Sequence, residues 1–146
     1  MGRITRLFDK PTECIETECY IYAPTNLKRE PAKRVKIPCA LWDTGASCSL
    51  ISTRVAKVLG LTSIGKTGVS GYNSGVDVKD TYLVHVGIPT RDIVTNITAM
   101  ECGSEDYDAI IGMDIIGKGD FAITHANGKT KFSFQIPGSA DIDFTK

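Results

Sequence analysis

Asp43 closes an apolar run, Pro38-Cys39-Ala40-Leu41-Trp42, and is followed by Thr44-Gly45-Ala46. A carboxylate at the tip of a buried strand is costly unless it is paired, hydrogen-bonded or used in chemistry. The use open to it is proton transfer. Hydrolysis by carboxylates alone takes two of them sharing one proton: the ionised member removes a proton from water while the protonated member donates to the carbonyl. Like charges a few Å apart cannot both ionise, so such a pair titrates in two coupled steps. The chain holds a single Asp-Thr-Gly, which leaves the second carboxylate to be supplied by a second copy. Asp and Gly are also common turn residues, and the tripeptide by itself marks no more than a strand end.

The elements that have to position Asp43 are mostly β. Glu18 to Tyr22 and Arg34 to Trp42 read as strands, joined through an exposed, charged turn. After the Asp loop, Ser52 or Thr53 is the expected N-cap of a short helix that buries Val55, Ala56, Val58 and Leu59 and stops at Gly60. Leu61 then re-enters the core. Glycines at 65, 68, 71 and 75 surround a turn. Val76, Val78, Tyr82, Val84, Val86 and Ile88 follow at even positions, as in the return strand of a hairpin with Gly71 to Gly75 at its tip. Ile93 to Ala99 is another strand and Ile110-Ile111 a short buried one. Phe121 to Thr124 and Lys131 to Ile136 form a hairpin around Asn127-Gly128. Gly138 to Lys146 is either a loose tail or a segment that pairs with a partner.

Composition narrows the partners. At 146 residues the chain is one domain, long enough for a core and too short for two catalytic lobes. Lys plus Arg and Asp plus Glu are 17 each, so neither a basic nucleic-acid footprint nor an acidic tail is present. The opening residues lack the apolar stretch of a signal peptide, position 6 is Arg rather than the Ser or Thr of a myristoylation signal, and no run reaches membrane-spanning length. A cytoplasmic protein without membrane or nucleic-acid partners is expected. Cys14, Cys19, Cys39, Cys48 and Cys102 are odd in number and form no CxxC pair, which fits thiols in a reducing compartment better than a Cys14–Cys19 bridge. His85 and His125 are far apart with no ligand at metal spacing, so no metal or other cofactor is expected. His85 falls in a strand pattern, as a surface or satisfied core residue.

Asp43-Thr44-Gly45-Ala46, then a Gly-rich hairpin, then Tyr107-Asp108-Ala109-Ile110-Ile111-Gly112 resemble, in that order, the retropepsin-like aspartic protease family. Leu59-Gly60-Leu61 after a small helix is most similar to the bacterial soluble, single-domain members. The likeness is strongest over residues 35–125, within one domain spanning 1–146. It implies an all-β fold with one or two short helices, a retropepsin-like acid protease β-barrel contributing one lobe per chain. It also implies an endopeptidase acting on peptide or protein substrates as a homodimer, with Asp43 from each subunit forming the dyad. In the family pattern Thr44 reaches across the dimer axis and braces the partner loop. Gly45 lets the backbone bring its N–H to the carboxylate, Ala46 completes the loop, and Ile110-Ile111-Gly112 packs beneath it. Gly71, Tyr72 and Asn73 would lie at the tip of a flap closing over substrate; a plain surface hairpin is the alternative.

Some positions depart from that pattern or invite other readings. Viral members commonly carry an acidic residue after Asp-Thr-Gly-Ala; here it is Ser47, so the ion pair that braces those dimers is expected to be absent. Asp114 is expected to cap a short helix rather than to catalyse. Phe132, Phe134 and Ile136 alternate with polar residues in the manner of an edge strand, and with Ile4 and Leu7-Phe8 they are the expected dimer contacts outside the Asp loop. Gly112 to Gly119 nearly spells a phosphate-binding loop, but Gly119 replaces the required hydroxyl and a strand follows in place of a helix. Gly68-Val69-Ser70-Gly71-Tyr72 lacks the final Gly of a nucleophile elbow. The alternative to an enzyme is the same fold used as a peptide-binding or dimerisation module with little or no proteolysis. The intact Asp-Thr-Gly favours the enzyme.

Overall fold

The computed structural model describes residues 2–24, 33–70, 76–103 and 106–146. Gly71, Tyr72 and Asn73, the expected hairpin tip, lie outside them. In chain order the elements are β1 (Gly2–Phe8), β2 (Glu16–Tyr22), β3 (Arg34–Trp42), β4 (Leu50–Ser52), α1 (Thr53–Val58), β5 (Gly65–Ser70), β6 (Val76–Gly87), β7 (Ile93–Cys102), β8 (Ala109–Ile111), α2 (Met113–Ile116), β9 (Asp120–Thr124) and β10 (Thr130–Ile136). Strand β2 begins earlier than the sequence pattern suggested, because Thr17 is buried on the same face as Cys19 and Ile21.

Two sheets build the molecule. The larger runs β2-β3-β8-β4-β7-β6-β5, and a further pairing of β2 with β6, Ile21 opposite Val86, closes it into a barrel. Period-2 burial explains the closure. Cys19, Ile21, Ile37, Val84, Val86 and Ile97 point inward and fill the barrel, while their neighbours face outward. The smaller sheet, β1-β10-β9, joins the two ends of the chain, with Ile4 opposite Phe134 and Phe132 opposite Ile123. Strand β10 is therefore central, not an edge. Phe132 and Phe134 are fully buried within the subunit against Trp42, at ring distances of 5.1 and 5.0 Å. Their alternation reflects one covered face, and they are not available as dimer contacts.

Local signals account for the short elements. Ser52 caps α1, its Oγ accepting from the Val55 N–H, and Gly60 follows the helix at a φ of +62°. Val55, Ala56 and Leu59 are buried, but Val58 is exposed. On a helical wheel it sits roughly 110° from the centre of the stripe that the other three define. The β9–β10 turn places Asn127 and Gly128 at φ of 58° and 70°, as an Asn-Gly hairpin requires. Segment 138–146 is tied to its own chain: the Ser139 and Ala140 N–H groups donate to the Asp120 carboxylate at 2.7 and 2.8 Å. The five cysteines are free thiols.

Candidate active site

Strand β8 organises the site. It lies between the two strands that flank the Asp loop, parallel to β3 and antiparallel to β4, with Ile110 opposite both Leu41 and Leu50. Asp43 leaves the end of β3 with its N–H still donating to the Ile111 carbonyl at 2.9 Å. The chain then turns tightly, the Ala46 N–H reaching back to the Asp43 carbonyl at 3.2 Å. Inside this turn the Gly45 N–H donates to Asp43 Oδ1 at 2.8 Å, and a Cβ on Gly45 would stand 3.1 Å from that oxygen. Asp43 is half-buried, while Thr44 stands exposed at the apex of the turn. Asp43, Thr44, Gly45 and Ala46 thus form one hydrogen-bonded unit at the surface of the barrel.

The returning limb of the loop is held by residues just after β8. Ser49 is buried; its N–H donates to Asp114 Oδ2 at 2.8 Å and its Oγ to Asp114 Oδ1 at 2.7 Å. The same Oγ accepts the Gly112 N–H at 3.0 Å, and the Met113 N–H donates to the Ala46 carbonyl at 2.8 Å. Asp114 therefore does not cap α2. Gly112 occupies the N-cap position with no side-chain bond, and the Asp114 carboxylate, one residue into the helix, is spent on Ser49. Gly112 is required by proximity. A Cβ there would lie 2.6 Å from the Cys48 carbonyl oxygen and 2.8 Å from that of Ala46, so any side chain would push the loop away from β8.

Above the loop lies a cleft of about 560 Å³. Asp43, Gly45 and Ala46 line it at one end, Leu50, Met100 and Ile110 form an apolar wall, and Thr67 and Gly68 of β5 face them. The stem of the β5–β6 hairpin, with Gly68 opposite Val78, thus shares the cleft with Asp43. Cys48 also lines the cleft. Burial, and then the nearby Asp114 carboxylate, push its thiol above the ordinary range, which keeps it protonated and a poor nucleophile. The carboxylate, not the thiol, is the group suited to chemistry here.

Beneath the loop, Trp42 sits between the barrel and the small sheet, its Nε1 donating to Thr17 Oγ1 at 2.8 Å. Behind it, Asp108 accepts two bonds from Arg54, at 3.0 and 2.7 Å, and one from Ser52 Oγ at 2.7 Å. The Arg54 guanidinium, with help from Ser52, holds the Asp108 carboxyl below its ordinary range. Neither Ser49 nor the Arg54–Asp108 pair was visible as a site residue in sequence. His85 is a satisfied strand residue, its Nδ1 accepting the Asn96 N–H at 3.0 Å.

A barrel closed through β2 and β6, with a short strand inserted between the two limbs of an Asp-Thr-Gly loop, defines the retropepsin-like fold. The chain is similar in structure to a retropepsin-like aspartic protease from Rickettsia conorii, with a TM-score of 0.55 and 15% sequence identity over 90% of this chain and 91% of that one. No protein-family model and no curated protein matches the sequence.

Proposed function

We propose that the chain is an aspartic endopeptidase that works as a homodimer, each subunit giving one Asp43 to a dyad that activates water. The observation that carries this reading is the Asp43 loop. Its carboxylate is fixed by the Gly45 N–H, opens on the cleft and is clamped from below by Ser49, Gly112 and Asp114. In the proposed reaction the ionised Asp43 takes a proton from water as the other donates to the scissile carbonyl. A monomer presents one Asp43, and one carboxylate cannot be base and acid in the same transition state. Thr44, exposed at the apex, would brace the partner loop as in the family pattern. Strand β5 pairs only with β6 among the described residues, so its other edge is open to an extended peptide.

Incubation with an unfolded protein over a range of pH tests the reading. Cleavage that follows a bell-shaped profile centred at acidic to mildly acidic pH, and is blocked by a transition-state mimic such as pepstatin, is the expected result. An Asp43→Asn subunit added in excess should poison wild-type activity through mixed dimers. Binding of the same protein with no cleavage at any pH would instead leave a peptide-binding module. Full activity in a species that sediments as a monomer would remove the shared dyad.

A further inference from the structure

Where β2 meets β6 the barrel carries a second cavity, of about 430 Å³, away from the Asp43 cleft. Gly87 makes room for it: a Cβ there would stand 3.0 Å from the Tyr22 ring and 3.3 Å from Tyr20 Cβ. The Arg34 guanidinium lies over the Tyr20 ring at 4.8 Å, and its Nη1 donates to the Tyr22 hydroxyl at 3.3 Å. A guanidinium held in this way keeps most of its in-plane donors for a carboxylate. Arg91 lines the same cavity from the tip of the β6–β7 turn, beside the exposed Ile93. The two acids of the cavity are already engaged, Glu18 with Lys36 at 3.2 Å and Asp92 with the Thr90 hydroxyl. Among the described residues no acid pairs with Arg34 or Arg91. The cavity therefore suits an acidic segment with an aromatic or aliphatic side chain, and its tyrosines and arginines are the residue types that anchor protein contacts.

The chain carries such a segment. Asp141-Ile142-Asp143-Phe144 follows the anchor on Asp120, with Phe144 94% and Ile142 63% exposed. Phe144 stands in solvent on a segment anchored at Asp120, so its ring is available to a second copy. Asp143 is occupied by Thr145 and Lys146, leaving Asp141 as the available acid. Segment and cavity flank the same strand. Gly2 of β1 packs directly on Asp92 at the cavity, while Arg3 and Thr5 share a groove with Ala140 and Ile142. Two complementary surfaces beside one strand allow a closed twofold contact in which each copy fills the other.

We infer that segment 141–144 of one copy docks in the Tyr20–Tyr22–Arg34–Arg91 cavity of a second copy, Phe144 against the tyrosines and Asp141 against the arginines. The contact stands whether or not the chain hydrolyses peptides, so its test reads association and not activity. Sedimentation of the full chain across concentrations should show self-association that a synthetic peptide of residues 138–146 competes away. Phe144→Ala and Arg91→Glu, both at exposed positions, should each raise the dissociation constant by about tenfold or more. Asp141→Arg should weaken association similarly, and combining it with Arg91→Glu should restore it. Unchanged association in Phe144→Ala and Arg91→Glu would overturn the inference. So would a wild-type chain that stays monomeric, or a peptide that binds without dissociating the copies, which would give the cavity to another occupant.

Discussion

The Asp43 loop and the β5–β6 hairpin face each other across one cleft and are built in opposite ways. The loop is fastened by backbone and side-chain bonds to Ile111, Gly112, Met113 and Asp114, and the glycine beneath it leaves no slack. Among the described residues, the hairpin stem has few fastenings beyond its own pairing. Gly65–Ser70 pairs with Val76–Thr81, residues 62–68 are exposed, and Val78 is 62% exposed although it has the same strand parity as the buried Val84. The sequence pattern groups Val78 with Val84 in one alternating, even-position run. Val78 is exposed because this part of β6 projects past the barrel, before the pairing with β7 that begins at Thr81. Local stability follows buried contacts. In the proposed reaction, a carboxylate that has to meet a second one within a few tenths of an ångström belongs on the fastened side, and a cover that has to admit a polypeptide belongs on the loose one.

The sharpest way to break this contrast is at the centre of the fastened loop. Asp43→Asn is nearly isosteric and keeps the acceptor oxygen for the Gly45 N–H, yet cannot ionise. Peptide hydrolysis should fall by roughly 10²–10⁴-fold or to background, with the thermal midpoint of unfolding close to wild type. A folded Asn variant with wild-type turnover would take Asp43 out of the reaction.

Next in size is the clamp. Asp114→Ala leaves the buried Ser49 N–H and Oγ without their acceptor, and hydrogen bonds to a charged partner are worth about 1.5–3 kcal/mol. Unfolding in denaturant should register a loss of that order, and kcat should drop more than KM rises because the loop that carries Asp43 loosens. Asp114→Asn, which retains one acceptor, should recover much of both. If Asp114→Ala lowered stability and left kcat intact, the clamp would serve the fold alone.

These residues also mark how far the sequence could be read. Alternation along β6 and β10, the Ser52 and Gly60 ends of α1, and the Asn127-Gly128 turn are local signals, and the structure has them where the pattern put them. The Asp-Thr-Gly loop and the Ile-Ile-Gly strand were legible because each is a short motif, and their juxtaposition followed from resemblance. The clamp was not legible. Ser49 and Asp114 are 65 positions apart, and nothing in either neighbourhood says which distant hydroxyl a helix-start aspartate will meet; capping was the local default, and a tertiary contact overrode it. Phe132 and Phe134 show the same limit. Alternation reports that one face is covered, not whether the cover is Trp42 of the same chain or a second subunit.

A smaller effect separates the clamp from the ion pair behind it. The Asp108 carboxyl is held below its ordinary range by Arg54, so the pair contributes stability above the unfolded carboxylate range, about pH 4. That contribution is lost as pH falls through the depressed folded value. Arg54→Met should therefore flatten the acid limb of the stability curve. Both side chains are substantially exposed, so the cost at neutral pH should be within about 1 kcal/mol. An acid limb unchanged in Arg54→Met would assign it to other carboxylates.

The smallest effect is expected on the hairpin, where it decides most about the comparison. Val78 and Val84 share a residue type, a strand and a parity. Val84→Ala empties a site with no solvent exposure and should cost about 2 kcal/mol through lost transfer energy and the cavity left behind. Val78→Ala removes the same atoms from a side chain already mostly in water and should change stability by less than about 0.5 kcal/mol. Chemical denaturation of the two variants side by side measures the difference directly. If hydrolysis is then followed, Val78→Ala should leave kcat in place, because Val78 does not line the cleft that holds Asp43. Equal destabilisation by the two substitutions would mean that in solution the stem is packed as firmly as the barrel, and the division of the cleft into a fixed floor and a loose cover would fail.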